Sequence, residues 1–157
     1  MSQERRMGRS ITMQEARVVI EAMLEAAKKT KADPSNPMAN AAMGLAVVDT
    51  SGAPVYLVRM DGASALNSRV AVNKAYTCID TRRDTVDSEN MLKKTGWDIF
   101  HFGESKLSYI PGGVLLREKD GSIIGAVGTS GRAALGPMGD EELARIGAKA
   151  LSEFLSK

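Results

Sequence analysis

The chain has a single histidine, His101, in the stretch GWDIFHFGESKLSYIPGG, with Glu104 and Tyr109 close behind it. Imidazole titrates nearest neutrality, so a His-Glu-Tyr group could move a proton without any metal. Flanked by Phe100 and Phe102, His101 equally suits a half-buried loop residue with one structural hydrogen bond. Lys74 and Tyr76 are two positions apart on one predicted helix and cannot share a face, so one turns to a pocket or interface and the other elsewhere. Arg59 offers a planar fork that grips a carboxylate in bidentate fashion; its competing role is a strand-end ion pair with Asp61. Arg83 and Arg132 are further candidate clamps.

The segment IPGGVLLREKDGSIIGAVGTSG concentrates the glycines. It contains no GxxxxGK[ST], and Gly125, Gly128 and Gly131 follow a G-x-x-G-x-x-G spacing instead of the dinucleotide fingerprint. Gly125 and Gly128 fall inside an apolar strand pattern, where glycine marks the close approach of a helix, a subunit or a ligand. Gly112, Gly113, Thr129 and Ser130 stand at strand ends, where backbone amides can face an anion. The expectation is a backbone-lined pocket, with no sign of a nucleotide. Ser130 misses the G-x-S-x-G elbow by one residue, which argues against a serine hydrolase. Cys78 reads as a small buried apolar residue beside Ala71 and Ala75.

Elements must position these groups, and the pattern gives them. Thr12-Met13-Gln14-Glu15 is a capping box that opens a helix running to about Thr30. Short apolar runs from Met43 to Val48 and from Val55 to Met60 flank Asp49-Thr50-Ser51-Gly52 and predict a hairpin. A second hairpin is predicted from Val114 to Gly128 around Asp120-Gly121. SALNSRVAVNKAYTCIDTRR, between them, has helical spacing, and a weaker helix follows near Ser88 to Lys94. Leu143, Ile146, Gly147, Ala150, Leu151 and Phe154 line the apolar face of a last helix. Strand-turn-strand pairs covered by helices make an α+β single domain, residues 12–157, behind a polar N-terminal leader, residues 1–11.

Composition narrows the function classes. The 157 residues are 43% hydrophobic and 25% charged, as in ordinary globular proteins. A net charge of +2 and only 4% aromatics give no nucleic-acid signature. One cysteine and one histidine exclude a Cys/His structural zinc centre, and no metal site is read from the sequence. The leader has no apolar signal core and no run is long enough to span a membrane, so a cytoplasmic home is expected.

VVDTSGAPVYLVRMDGA, VNKAYTC and PGGVLLREKDGSIIGAVGTSG, in this order, resemble the GlcG/HbpS family, which includes the C-terminal domain of PduO-type proteins. The resemblance covers roughly Thr12 to Leu155. It implies a profilin-like antiparallel sheet flanked by helices, assembled into homo-tetramers or homo-octamers around a small-molecule ligand. Some members of that family bind haem through a histidine near the first helix. Here ITMQEARVVIEAMLEAAKKT has none, leaving His101, Met or Tyr as the available ligands. The resemblance also implies relatives that are cofactor-free lyases or isomerases acting on small aromatic or carboxylate compounds; with no histidine on the first helix, that function ranks first and haem binding second. In the first reading Arg59 or Arg83 holds the substrate carboxylate and His101 with Glu104 or Tyr76 shuttles the proton. Lys74, Tyr109 and the amides of Gly112, Gly113, Thr129 and Ser130 complete the binding set.

Overall fold

A computed structural model describes residues 5–157 of the chain. Four helices, α1 (Met13–Lys29), α2 (Ala65–Thr81), α3 (Thr85–Thr95) and α4 (Asp140–Leu155), surround four strands, β1 (Gly44–Val48), β2 (Pro54–Arg59), β3 (Gly113–Arg117) and β4 (Ile123–Ser130). The sheet is antiparallel throughout, in the order β2-β1-β4-β3. The two hairpins thus join through their second-in-sequence and first-in-sequence strands, β4 and β1, and each leaves one strand at an edge. This is the α+β architecture that the alternation of short apolar runs and helical segments predicts.

The two faces differ in side-chain size. Leu45, Val47, Val114, Leu116, Ile124 and Val127 face α1 and α4 in the larger core, with Val19, Ile20, Met23, Leu143 and Leu151. The other face carries smaller groups, and α2 lies close against it through Ala75, Cys78 and Ile79. Three glycines allow that approach. A methyl group on Gly128 would lie 2.0 Å from the Ala71 carbonyl, and Gly44 and Gly113 are similarly blocked by the α2 backbone. Gly125 packs against the Val48 carbonyl and Ile11. Close packing, anticipated for Gly125 and Gly128, is thus the use of both.

Helix ends follow local chemistry. Thr12 and Glu15 form the expected capping box, and Glu15 also holds Arg9, with Nη2 to Oε1 at 2.7 Å. The weak helix predicted near Ser88 starts earlier, at Thr85, because Asp84 and Thr85 have partners that local sequence does not display. Asp84 Oδ1 accepts from Leu115 N at 2.9 Å and Thr85 Oγ1 from Gly113 N at 2.9 Å, so the start of α3 covers the edge amides of β3.

The first four residues of the polar leader lie outside the described residues. The rest runs beside the start of β4: Ile123 N donates to Arg6 O, Gly8 N to Ile123 O and Ile11 N to Ile124 O, all at 2.7–2.8 Å. Ile11 enters the core.

Candidate functional site

Lys74, 1% exposed, is the largest of the almost completely buried side chains among the described residues. Its Nζ donates to Pro111 O at 2.9 Å, Thr129 O at 2.8 Å and Asp140 Oδ2 at 2.8 Å. Three donors meet three acceptors, so the ammonium is fully satisfied without water. Burial pulls the Lys74 pKa down and pushes the Asp140 carboxyl up, and each charge opposes the other's shift. Asp140 Oδ1 also accepts from Arg132 N at 3.1 Å. The node clamps α2, the turn before β3, the end of β4 and the start of α4 together.

The strand-end amides are spoken for within the chain. Gly112 N donates to Glu141 Oε2 at 2.8 Å, Gly113 N to Thr85 Oγ1, and Thr129 N to Gly112 O at 3.0 Å. The anion facing the Gly112 amide is therefore Glu141 itself, whose other oxygen pairs with Arg145 at 2.6 Å. Ser130 is buried and lies in register with Gly44 as the last residue of β4. The structure brings Lys74, Gly112, Gly113 and Thr129 together, and what they build is an internal polar node. The sequence pattern of α4 marks its apolar face and does not show that Asp140 and Glu141 join this node.

Tyr76 emerges on the other side of α2, which settles the division of labour between it and Lys74. Its ring packs over Gly52 in the first hairpin turn, and its hydroxyl reaches Glu104 Oε2 at 3.4 Å. Lys106 Nζ stands 5.4 Å from the ring centroid. Loss of solvent around the phenol, then the charges of Asp80 and Glu104, raise its pKa and keep it protonated. Tyr76, Gly52 and Lys106 border a groove of about 320 Å³ that also includes Asn73 and Val72.

The segment from Trp97 to Ile110 holds His101 and four of the chain's seven aromatic side chains. A single 3-10 turn, Ile99–Phe102, is capped by Asp98, whose Oδ1 accepts from Phe100 N at 2.9 Å. His101 is exposed, and its Nδ1 accepts a long bond, 3.4 Å, from Asp98 N. Phe102 stands 6.4 Å from Trp97 and 6.2 Å from Tyr109, ring centre to ring centre. Tyr109 is buried, whereas Trp97 is 59% and Phe100 86% exposed, with Phe102 and Ile110 also open to solvent. Apolar surface this concentrated, beside an available imidazole, is what a docking site for a flat ligand offers.

The candidate clamps lie apart. Arg59 ends β2, in register with Gly44 at the edge opposite β3, so three strand spacings, roughly 14 Å, separate it from the β3 edge. Among the described residues no ion pair joins it to Asp61. Arg83, just past α2, meets Met91 Sδ at 3.2 Å. Arg132 is committed to structure: its guanidinium donates to Ala27 O, Thr30 Oγ1, Ala41 O and Met138 O and so closes the end of α1.

The model of the HbpS-like family, described as haem degrading protein HbpS-like, matches residues 11–149. The chain belongs to the HbpS-like family. Solved structures agree in fold. A double mutant of Streptomyces reticuli HbpS is 25% identical, with 92% of this chain and 88% of that one covered and a TM-score of 0.71. A Klebsiella pneumoniae protein, ORFY, is 22% identical over 94% of each chain, with a TM-score of 0.74. The PduOC–haem complex is 20% identical over 90% of this chain and 94% of that one, also at 0.74. Comparison with curated proteins gives no match. Among the described residues, no helix is long and apolar enough to cross a membrane.

Proposed function

We propose that this HbpS-like protein binds haem on the Trp97–Ile110 segment. The observation that carries the reading is the exposed His101 imidazole on a capped turn between two solvent-facing phenylalanines. Family membership supports it over the lyase or isomerase that the sequence ranks first. His101 would hold the iron through Nε2, which requires the ring proton on Nδ1 and gives up only the long bond from Asp98. Phe100, Phe102 and Trp97 would lie along the macrocycle, and Lys106 or Lys94 would meet its carboxylates. Bound haem would supply a redox-active iron. A groove of about 340 Å³ between Trp97, Leu92 and Ile110 adjoins the turn that carries His101, and a second subunit of a homo-tetramer or homo-octamer would complete the site. We take residues 12–157 as the functional domain, with the N-terminal arm as its extension, in a cytoplasmic setting.

Titration with haemin tests this. Wild type is expected to give a stoichiometric, intense Soret band, and His101→Ala a weak, broadened one. An identical spectrum in both proteins, or no saturable uptake by wild type, refutes the assignment.

A second reading has one observation in its favour, the Tyr76–Glu104 hydrogen bond beside the 320 Å³ groove. There Tyr76 would donate a proton, Glu104 accept one, and Lys106 hold a substrate carboxylate in a lyase or isomerase step. A screen of small aromatic and hydroxy acids tests it. If a substrate turns over, Tyr76→Phe should cut kcat roughly 10²–10⁴-fold.

A further inference from the structure

Residues 97–102, which carry Trp97, Phe100, His101 and Phe102, are hydrogen-bonded only to themselves and to the residues at either end. Trp97 N donates to Thr95 Oγ1 at 3.4 Å, Asp98 N to His101 Nδ1 at 3.4 Å and Phe100 N to Asp98 Oδ1 at 2.9 Å. His101 N donates to Asp98 O at 3.1 Å, and Gly103 N closes the unit onto Phe100 O at 3.2 Å. Among the described residues, no hydrogen bond or ion pair joins residues 97–102 to the chain outside Thr95–Gly103. The flanks are anchored instead. α3 ends with Gly96 N on Leu92 O at 2.8 Å, and past the turn Glu104 meets Tyr76 and Ser108 N donates to Thr77 Oγ1 at 2.8 Å. A unit bonded only to itself can turn as one piece without breaking a hydrogen bond.

The two joints are glycines. Gly96, at φ +70°, and Gly103, at φ +67°, are both left-handed, and nothing lies within 4 Å of where a Cβ would stand at either. Space does not call for glycine there, as it does at Gly128; conformation does. Asparagine also adopts the left-handed region, but it lacks glycine's access to the mirror-image extended region. The groove of about 340 Å³ lies across these joints: Trp97, Asp98 and Ile99 form one wall, and Glu89, Leu92, Tyr109 and Ile110 the other. The first wall belongs to the self-bonded unit and the second to the anchored body, so a turn about the glycines narrows or widens the groove.

We propose that residues 97–102 are a flap, hinged at Gly96 and Gly103, that closes on a flat apolar ligand seated against Leu92, Tyr109 and Ile110. The identity of that ligand as haem rests on the proposed function; the hinge does not. The test compares wild type with the double variant Gly96→Asn/Gly103→Asn, which keeps both left-handed caps and removes the extra freedom of glycine. If the glycines served only as helix caps, asparagine would be neutral. In ligand-free wild type, the time-resolved anisotropy of Trp97 should contain a nanosecond component faster than overall tumbling, and the double variant should lose most of it. Haemin should leave the double variant roughly tenfold faster than wild type on transfer to excess apomyoglobin, because the closed state is reached less often. Gly121→Asn, the same exchange at an open, positive-φ glycine of the second hairpin, should match wild type in both readouts. Equal anisotropy decays in wild type and the double variant overturn the hinge, whether or not haemin binds. Haemin uptake with equal dissociation from both proteins overturns the closure and leaves the haem reading standing. No saturable uptake by wild type overturns the haem reading and the closure on that ligand together. Gly103→Asn alone carries the comparison if the double variant does not fold.

Discussion

Lys74 Nζ stands 2.8 Å from Asp140 Oδ2 with both side chains closed off from solvent, joining the middle of α2 to the first residue of α4. Removing one partner of such a pair strands a buried charge, whereas the intact pair adds little over a well-packed apolar replacement. Lys74→Met should therefore lower unfolding free energy by about 3–5 kcal/mol. Asp140→Asn keeps one acceptor oxygen but turns its NH2 toward either Lys74 Nζ or Arg132 N and strands the Lys74 charge, so it should cost a comparable amount. Urea midpoints check both, and a wild-type midpoint for Lys74→Met would contradict a structural role for the node.

The α2–sheet contact depends on the missing side chain at Gly128. A Cβ there would sit 2.0 Å from the Ala71 carbonyl, a backbone atom that cannot rotate away. Gly128→Ala should cost about 2–3 kcal/mol, the upper part of the range for overpacking. Gly121 separates space from conformation: nothing surrounds a Cβ there, but its φ is +84°. Gly121→Ala should thus lose only about 1 kcal/mol, from backbone strain. Equal losses for the two would remove the packing argument.

Much of this was legible in the sequence because it is local. The Thr12–Glu15 box, the Asp49–Gly52 and Asp120–Gly121 turns and the helical spacing of α2 each depend on residues within one turn or hairpin. Lys74 was not, since its three acceptors come from positions 111, 129 and 140. The amides of Gly112 and Gly113 read as free for the same reason. Glu141 and Thr85, which accept from them, lie 29 and 28 positions away. Arg132 followed a strand-end glycine, as a ligand clamp would, yet it caps a helix about a hundred residues earlier. Of the site, the sequence showed the His101 segment as irregular and chemically able; it could not show which aromatic faces stay in water.

Glu15 gives the fold an acid-sensitive contact. Hydrogen bonding to Arg9 lowers its pKa from 4.5, against burial, with Thr12 adding to the shift. A carboxyl depressed in the folded state stabilises the protein above its unfolded pKa and loses that contribution as pH falls through the folded value. Stability should be level with respect to this group above about pH 4.5 and decline below it. Glu15→Gln should be less stable at neutral pH and flatter across the acid range. Parallel curves for the two proteins, from thermal midpoints between pH 3 and 7, would show that Glu15 is not responsible.

Trp97 is the only tryptophan and lies on the segment proposed to bind haem, so its emission follows haem uptake there. In the free protein it is 59% exposed, and its emission should be that of a hydrated indole, readily quenched by iodide or acrylamide. A macrocycle laid against Phe102 and Trp97 would shield the ring and quench it by energy transfer. Haemin should therefore quench the emission in step with growth of the Soret band, reaching both plateaus at the same stoichiometry. His101→Ala loses the iron ligand but keeps the aromatic faces, so its Soret band should collapse while partial quenching persists at higher haemin concentration. The same Soret growth and quenching in His101→Ala as in wild type would place haem elsewhere on the molecule.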